Sequence, residues 1–184
     1  MRQWNFGKLR WLKPCSTKEK MKILNEHQIG QKIRRLAIQI LEHNIEEEEL
    51  VLVGINKNGL GFAQLLLEEL YKISDKNFLL TQIKLNPAAP TESEILVQMP
   101  VSQLNGKSLI LIDDVLNTGR TIFFAIKPLL EIITKKVEVA VLLERKHSFF
   151  PIKADYVGLS LATTLKEHIE VNILEGVEKA VFLR

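Results

Sequence analysis

A single α/β domain built on a mostly parallel sheet is the fold this sequence predicts, on three observations. Short aliphatic runs at Leu50–Val53, Leu109–Ile112 and Val137–Leu143 read as buried strands. Segments of helical apolar spacing alternate with them, over Glu26–His43 and again over Gly59–Ile73. The chain of 184 residues, 46% hydrophobic and 26% charged, has the length and composition of one globular core. Alternating strands and helices favour parallel pairing, with helices on both faces of the sheet.

The elements follow in order. Over Glu26–His43, Ile29, Ile33, Leu36, Ala37, Ile40 and Leu41 repeat at helical spacing, with Lys32, Arg34 and Arg35 between them. The acidic run Glu46–Glu49 reads as a solvated turn. Leu50–Val53 ends at Gly54, and a loop over Ile55–Gly59 leads into the second helix. Phe78–Leu85 is expected as a strand, Asn86–Ser93 as a Pro-rich exposed loop, and Ile95–Met99 as a strand folding back in a hairpin. Asn105-Gly106 makes a turn into Leu109–Ile112. An acidic loop comes next, then a helix expected to reach about Thr134 and the strand Val137–Leu143. Shorter strands near Tyr156–Leu159, Glu170–Leu174 and Ala180–Leu183 close the chain.

Charge is distributed unevenly. The first 22 residues hold seven basic side chains against Glu19 alone, so the overall +3 conceals +6 in this leader and −3 in the remainder. A slightly acidic body gives a general nucleic-acid role no support. Met21 opens "MKILNEHQI", which reads as a natural domain start, so residues 1–22 are expected to be a basic extension ahead of a domain spanning 23–184. No apolar run approaches the roughly 18–20 residues that span a bilayer, and no membrane partner is expected. The single cysteine, Cys15, excludes an internal disulfide framework and fits a reducing, cytoplasmic location.

The chemistry concentrates in "LILIDDVLNTGRT", Leu109 to Thr121. An aliphatic strand meets two adjacent acids, Asp113 and Asp114, and a turn ending Thr118-Gly119-Arg120-Thr121 follows. One reading is structural: an aspartate such as Asp114 caps the next helix by accepting its first amide hydrogens. The other is a ligand cradle. Amides from Asn117 to Thr121 converge on an anion at a helix start, with the Thr118 and Thr121 hydroxyls as further donors and Arg120 as a cation. Paired carboxylates beside a phosphate would repel it, so they suit hydroxyls or a divalent cation. A phosphate at one end and vicinal hydroxyls at the other describe a sugar phosphate. Both this turn and "GINKNG" fall at the carboxyl ends of strands, where open α/β sheets bind ligands.

The same stretch resembles the 5-phosphoribosyl-1-pyrophosphate (PRPP) signature of the type I phosphoribosyltransferases. The blocks "ILNEHQI", "LVGINKNG", "DDVLNTGRT", "AVLLERKH" and "PIKADYVG" resemble, in order and spacing, one subgroup of that family. This subgroup comprises the pyrimidine operon attenuation regulators with uracil phosphoribosyltransferase activity, and the similarity runs from about Ile23 to the C-terminus. The resemblance implies a mostly parallel sheet with helices on both faces and a small hood. It implies that Asp113 and Asp114 are catalytic and hold the ribose 2′- and 3′-hydroxyls, with Mg²⁺ reached through those hydroxyls or water. Val115, Leu116, Asn117, Thr118, Gly119, Arg120 and Thr121 would complete the PRPP site, and Asn117–Thr121 would cradle the 5′-phosphate. Ile55, Asn56, Lys57 and Asn58 would form the pyrophosphate loop.

In "ERKH", which begins at Glu144, the resemblance sets Arg145, Lys146 and His147 near the base; the plain alternative for His147 is a surface loop residue. Purine-type relatives carry an aspartate at the place of Asn117, and asparagine cannot do that acid–base work at neutral pH. The expected acceptor is therefore a pyrimidine such as uracil. The implied reaction transfers phosphoribosyl from PRPP to the base and releases pyrophosphate, through a homodimer or larger homo-oligomer. RNA binding through Lys32, Arg34 and Arg35 is implied for the subgroup, against a simple solvated basic face. Two places depart from the pattern. Asn58 stands where the subgroup has an arginine, and Leu85-Asn86-Pro87-Ala88-Ala89-Pro90 replaces a loop start that is normally charged. The alternative function is accordingly a PRPP- or nucleotide-sensing regulator with little or no catalysis.

Overall fold

In the computed structural model, residues 20–145, 149–162, 168–174, 176 and 178–183 are described. Nine strands, three helices and two 3₁₀ turns are assigned among them. The chain begins with strand β1 (Met21–Leu24) and helix α1 (Glu26–His43), followed by β2 (Glu49–Ile55) and α2 (Asn56–Ile73). β3 (Asn77–Lys84), the short β4 (Leu96–Val97) and β5 (Ser108–Leu116) come next. After α3 (Arg120–Ala125) the chain continues through β6 (Lys136–Arg145), β7 (Tyr156–Leu161), β8 (Ile169–Asn172) and β9 (Ala180–Leu183).

The main sheet has the order β4-β3-β2-β5-β6-β7. Every pairing from β3 to β7 is parallel, and only β4 runs antiparallel, against β3. From β2 the chain first moves outward to β3 and then returns to the other side of β2 as β5. The topological switch point therefore lies between the carboxyl ends of β2 and β5, where a crevice opens in sheets of this kind. A second sheet, β1-β9-β8, forms the hood. β1 was missed in sequence because four residues carry no periodicity; its pairing with β9 joins the two ends of the described chain.

Side-chain alternation divides the core between the two faces. Leu50, Leu52, Ile110 and Ile112 pack with α1 and α2, while Val51, Val53, Leu109 and Leu111 pack with α3 and the 3₁₀ turns. Helix α1 matches its expected bounds and is closed by a capping box in which Asn25 and Gln28 exchange hydrogen bonds.

The opposite face departs from expectation. The helix expected to reach Thr134 stops at Ala125 and continues as a 3₁₀ turn over Lys127–Glu131. Pro128 explains the break, because it lacks an amide hydrogen and restricts Lys127 before it. Apolar spacing continues through Leu129, which is buried, but an unbroken α-helix does not.

Candidate active site

The acids were expected in a loop beyond a strand ending at Ile112; instead β5 carries them and runs on to Leu116. Pairing with β6 extends it, through Asp113↔Val141, Val115↔Leu143 and Leu116↔Glu144. The alternation slips at this point. Ile112 belongs to the core under α1 and α2, whereas Leu116, four residues later, belongs to the opposite core. Strict alternation would put both on one face, so the strand turns across Asp113–Asp114.

The two acids meet different surroundings. Asp113 is 9% exposed, and its Oδ1 accepts the Asp114 amide hydrogen at 3.0 Å. Burial, then the neighbouring Asp114 charge, pushes the Asp113 carboxyl well above its usual value of 3.8. Asp113 therefore holds its proton to higher pH than a solvated carboxyl would. Asp114 is half-buried, and its Oδ2 accepts a hydrogen bond from Asn58 Nδ2 at 2.9 Å.

Asn58 reaches Asp114 because the expected loop at Ile55–Gly59 is not a loop. Ile55 ends β2, and Asn56, Lys57, Asn58 and Gly59 form the first turn of α2. Two anchors hold this turn against the sheet. A Cβ on Gly59 would lie 2.4 Å from the Ile112 carbonyl oxygen, so only glycine allows the helix to start this close to β5. Asn56 adopts a left-handed conformation at φ 54°. Its Oδ1 accepts from the Leu85 amide at 3.0 Å, and its carbonyl accepts from Gln82 Nε2 at 2.6 Å. Gln82 had a signal of its own in the sequence, since with Thr81 it interrupts the apolar run of β3 with polar side chains that the fold buries.

On the β5 side, Asp113, Val115–Ile122 and Pro87 line a cavity of about 180 Å³. Gly119 has φ 83° and turns the backbone into α3. The Arg120 amide reaches Thr118 Oγ1 at 3.3 Å. The Thr118 carbonyl accepts from the amides of Phe149 and Phe150, both at 3.0 Å, which fixes the turn from behind. Asn117 and Arg120 are exposed at the rim, and Thr118 and Thr121 are half-buried. The structure thus brings together Asp113, Val115, Leu116 and Asn117–Thr121, and connects Asp114 to Asn58. Lys57 is exposed at the neighbouring turn.

The base-side group is only partly described. Arg145 ends β6 and is buried, outside the lining of the cavity, while Lys146 and His147 lie outside the described residues. Among the described residues, no group of three or more His, Cys, Asp or Glu side chains is placed to hold a metal. No helix among them is long and apolar enough to cross a membrane.

A domain model described as "Phosphoribosyl transferase domain" matches residues 20–178. The chain is 35% identical over 159 residues to "Bifunctional protein PyrR" of Haemophilus ducreyi, covering 81% of this chain and 87% of that one. The protein of the same name from Caldicellulosiruptor bescii is 34% identical over 168 residues, covering 85% and 91%. Among solved structures, the hypoxanthine phosphoribosyltransferase of Trypanosoma cruzi superposes with a TM-score of 0.74 at 16% identity, covering 88% and 94%. A hypoxanthine-guanine phosphoribosyltransferase from Bacillus anthracis gives 0.72 at 21% identity, covering 90% and 97%. At these identities the solved structures speak to the fold alone. The domain match and the relatives a third identical along most of their length agree with the acid pair and its turn: the chain belongs to the phosphoribosyltransferase family.

Proposed function

We propose that this chain binds PRPP at the carboxyl edge between β2 and β5 and transfers its phosphoribosyl group to a pyrimidine base such as uracil, releasing pyrophosphate. The observation that carries this reading is the strand-borne pair Asp113–Asp114 opening directly into the turn Asn117–Thr121. In this reading the pair accepts the ribose 2′- and 3′-hydroxyls. The amides and hydroxyls of the turn receive the 5′-phosphate. Displacement at C1′ passes through an oxocarbenium-like state, related in its physics to glycoside cleavage, and nearby carboxylates favour the developing positive charge.

Mg²⁺ fits this site as an ion carried mainly by ligand oxygens, since it binds readily through one or two carboxylates, retained water and substrate phosphates. Asp113 and Asp114 would hold it through water or the ribose hydroxyls, and it would supply charge neutralisation for the departing pyrophosphate. Asn117 at the rim supports a pyrimidine over a purine, because a carboxamide does not exchange a proton with a purine ring at neutral pH. Assembly as a homo-oligomer belongs to the same reading. RNA contact through exposed Arg34 and Arg35, with Lys32 beside them, is its regulatory extension. Such contact would weaken steeply in a gel-shift salt series.

A second reading, a PRPP or nucleotide sensor without efficient turnover, is favoured by one observation: Asn58 is bonded to Asp114 and offers pyrophosphate no charge. A panel of bases with PRPP and Mg²⁺, followed by pyrophosphate release, separates the two. Release with uracil and none with hypoxanthine or guanine is expected. Release with a purine alone overturns the pyrimidine assignment, and no release despite PRPP binding moves the protein to the sensor class.

A further inference from the structure

We propose that Asn58 is a specificity-determining, positioning residue that directs this site to the ribose 5-phosphate portion of its ligand, with little added affinity for a 1-diphosphate. The inference rests on the PRPP reading above and goes further, because it assigns the selectivity of the site to one carboxamide.

The geometry leaves Asn58 little freedom. Its Nδ2 donates to Asp114 Oδ2 at 2.9 Å in a part-buried setting. The turn that carries it is fixed to β5 by the close approach of Gly59 to the Ile112 carbonyl. Through Asn56, the same turn is fixed to Gln82 and Leu85 at the end of β3. Swinging the amide toward a diphosphate would break its bond to a carboxylate, the stronger class of hydrogen bond. Asn58 therefore orients Asp114 for a hydroxyl before any ligand arrives.

Charge points the same way. Ile55–Asn58 contains one cation, the exposed Lys57, and Leu85–Ile95 contains Glu92 and Glu94 with no lysine or arginine. A lysine is a point charge on a flexible stem and gives less fixed recognition than a guanidinium fork. Around the neighbouring cavity the structure places Asp113, residues 117–121 and the half-buried Thr118 and Thr121, with Asp114 held beside them by Asn58. The ligand class selected is a ribose 5-phosphate with free vicinal hydroxyls, which includes nucleoside 5′-monophosphates.

The test is calorimetric titration of the full chain with ribose 5-phosphate, PRPP and inorganic phosphate, each with Mg²⁺. The proteins are the parent, Asn58→Leu and Asn58→Gln. The parent is expected to bind PRPP within about tenfold of ribose 5-phosphate. Asn58→Leu should weaken ribose 5-phosphate about tenfold and leave inorganic phosphate unchanged, while Asn58→Gln, which keeps an amide donor, recovers part of the loss. A general structural role would move both ligands together. If Asn58→Leu does not fold, the parent ratio and Asn58→Gln decide. PRPP binding more than a hundredfold tighter than ribose 5-phosphate overturns this proposal and leaves the PRPP site standing. Unchanged ribose 5-phosphate binding by folded Asn58→Leu does the same. Failure of the parent to bind either sugar phosphate overturns the PRPP reading itself.

Discussion

The β5 side of the site lines a cavity, and the β2 side uses its polar groups in contacts with the rest of the fold. At β5, Asp113 and residues 115–122 line a cavity, with Thr118 Oγ1 accepting from the Arg120 amide. At β2, Asn56 is engaged with Gln82 and Leu85, and Asn58 with Asp114. The first turn therefore borders open space, whereas the second braces the acid pair through Asn58. The difference follows from residue type. Asparagine donates and accepts over a short reach and bonds well to fixed neighbours, whereas recognition of a mobile polyanion calls for long cations.

Removing the brace gives the largest expected effect. Gly59→Ala forces a Cβ against the Ile112 carbonyl and should reduce stability by about 3 kcal/mol, with ribose 5-phosphate binding lost in parallel. Thermal unfolding and titration together check this. An unchanged melting temperature would mean that α2 does not depend on this contact.

Asp113 tests the recognising side next. Its folded pKa lies above the ordinary 3.8, so its contribution to stability is fully present below that value and is lost as pH rises through the folded pKa. Asp113→Asn should therefore be more stable than the parent at pH 7, with the gap closing toward pH 4. Urea melts across that range would show it, and a less stable variant at pH 7 would refute the burial argument.

A distant site sharpens the comparison by contrast. Lys76 Nζ donates to the carbonyls of Asn44, Ile45 and Glu47 at 2.9, 2.5 and 2.6 Å, holding the exit from α1 at the opposite edge of the sheet. Lys76→Met should reduce stability by about 1–2 kcal/mol and leave ligand affinity unchanged. A matching fall in affinity would show that the site depends on general stability. The smallest expected effect is Thr121→Val, which removes one hydroxyl from the cradle. It should weaken ribose 5-phosphate three- to tenfold, about 1 kcal/mol, with no change in melting temperature.

Much of this frame was legible in the sequence. Apolar periodicity gave the bounds of α1, and the aliphatic runs located β2, β5 and β6 within a few residues. The acid pair and its turn stood out because their residue types are chemically specific, and the structure places Asp113 and the turn around one cavity. Non-local contacts were not legible. β5 extends through the acids only because β6 lies alongside it, and Asn58 meets Asp114 across 56 positions of chain. Residues Asn56–Asn58 looked like a loop because their composition suits one, yet packing of Gly59 on β5 makes them helical. Pro128 was a visible signal that the apolar periodicity outweighed. On the base side the resemblance singles out Arg145, Lys146 and His147; the fold buries Arg145 at the end of β6, and the other two lie outside the described residues.

The measurement that bears most directly on the PRPP site is calorimetric titration of PRPP with Mg²⁺ into the parent and into Asp113→Asn/Asp114→Asn. The parent should bind saturably. The double variant should remain folded by circular dichroism and lose affinity by a hundredfold or more. Equal affinity in the two folded proteins would contradict the assignment of Asp113 and Asp114 to the ribose hydroxyls.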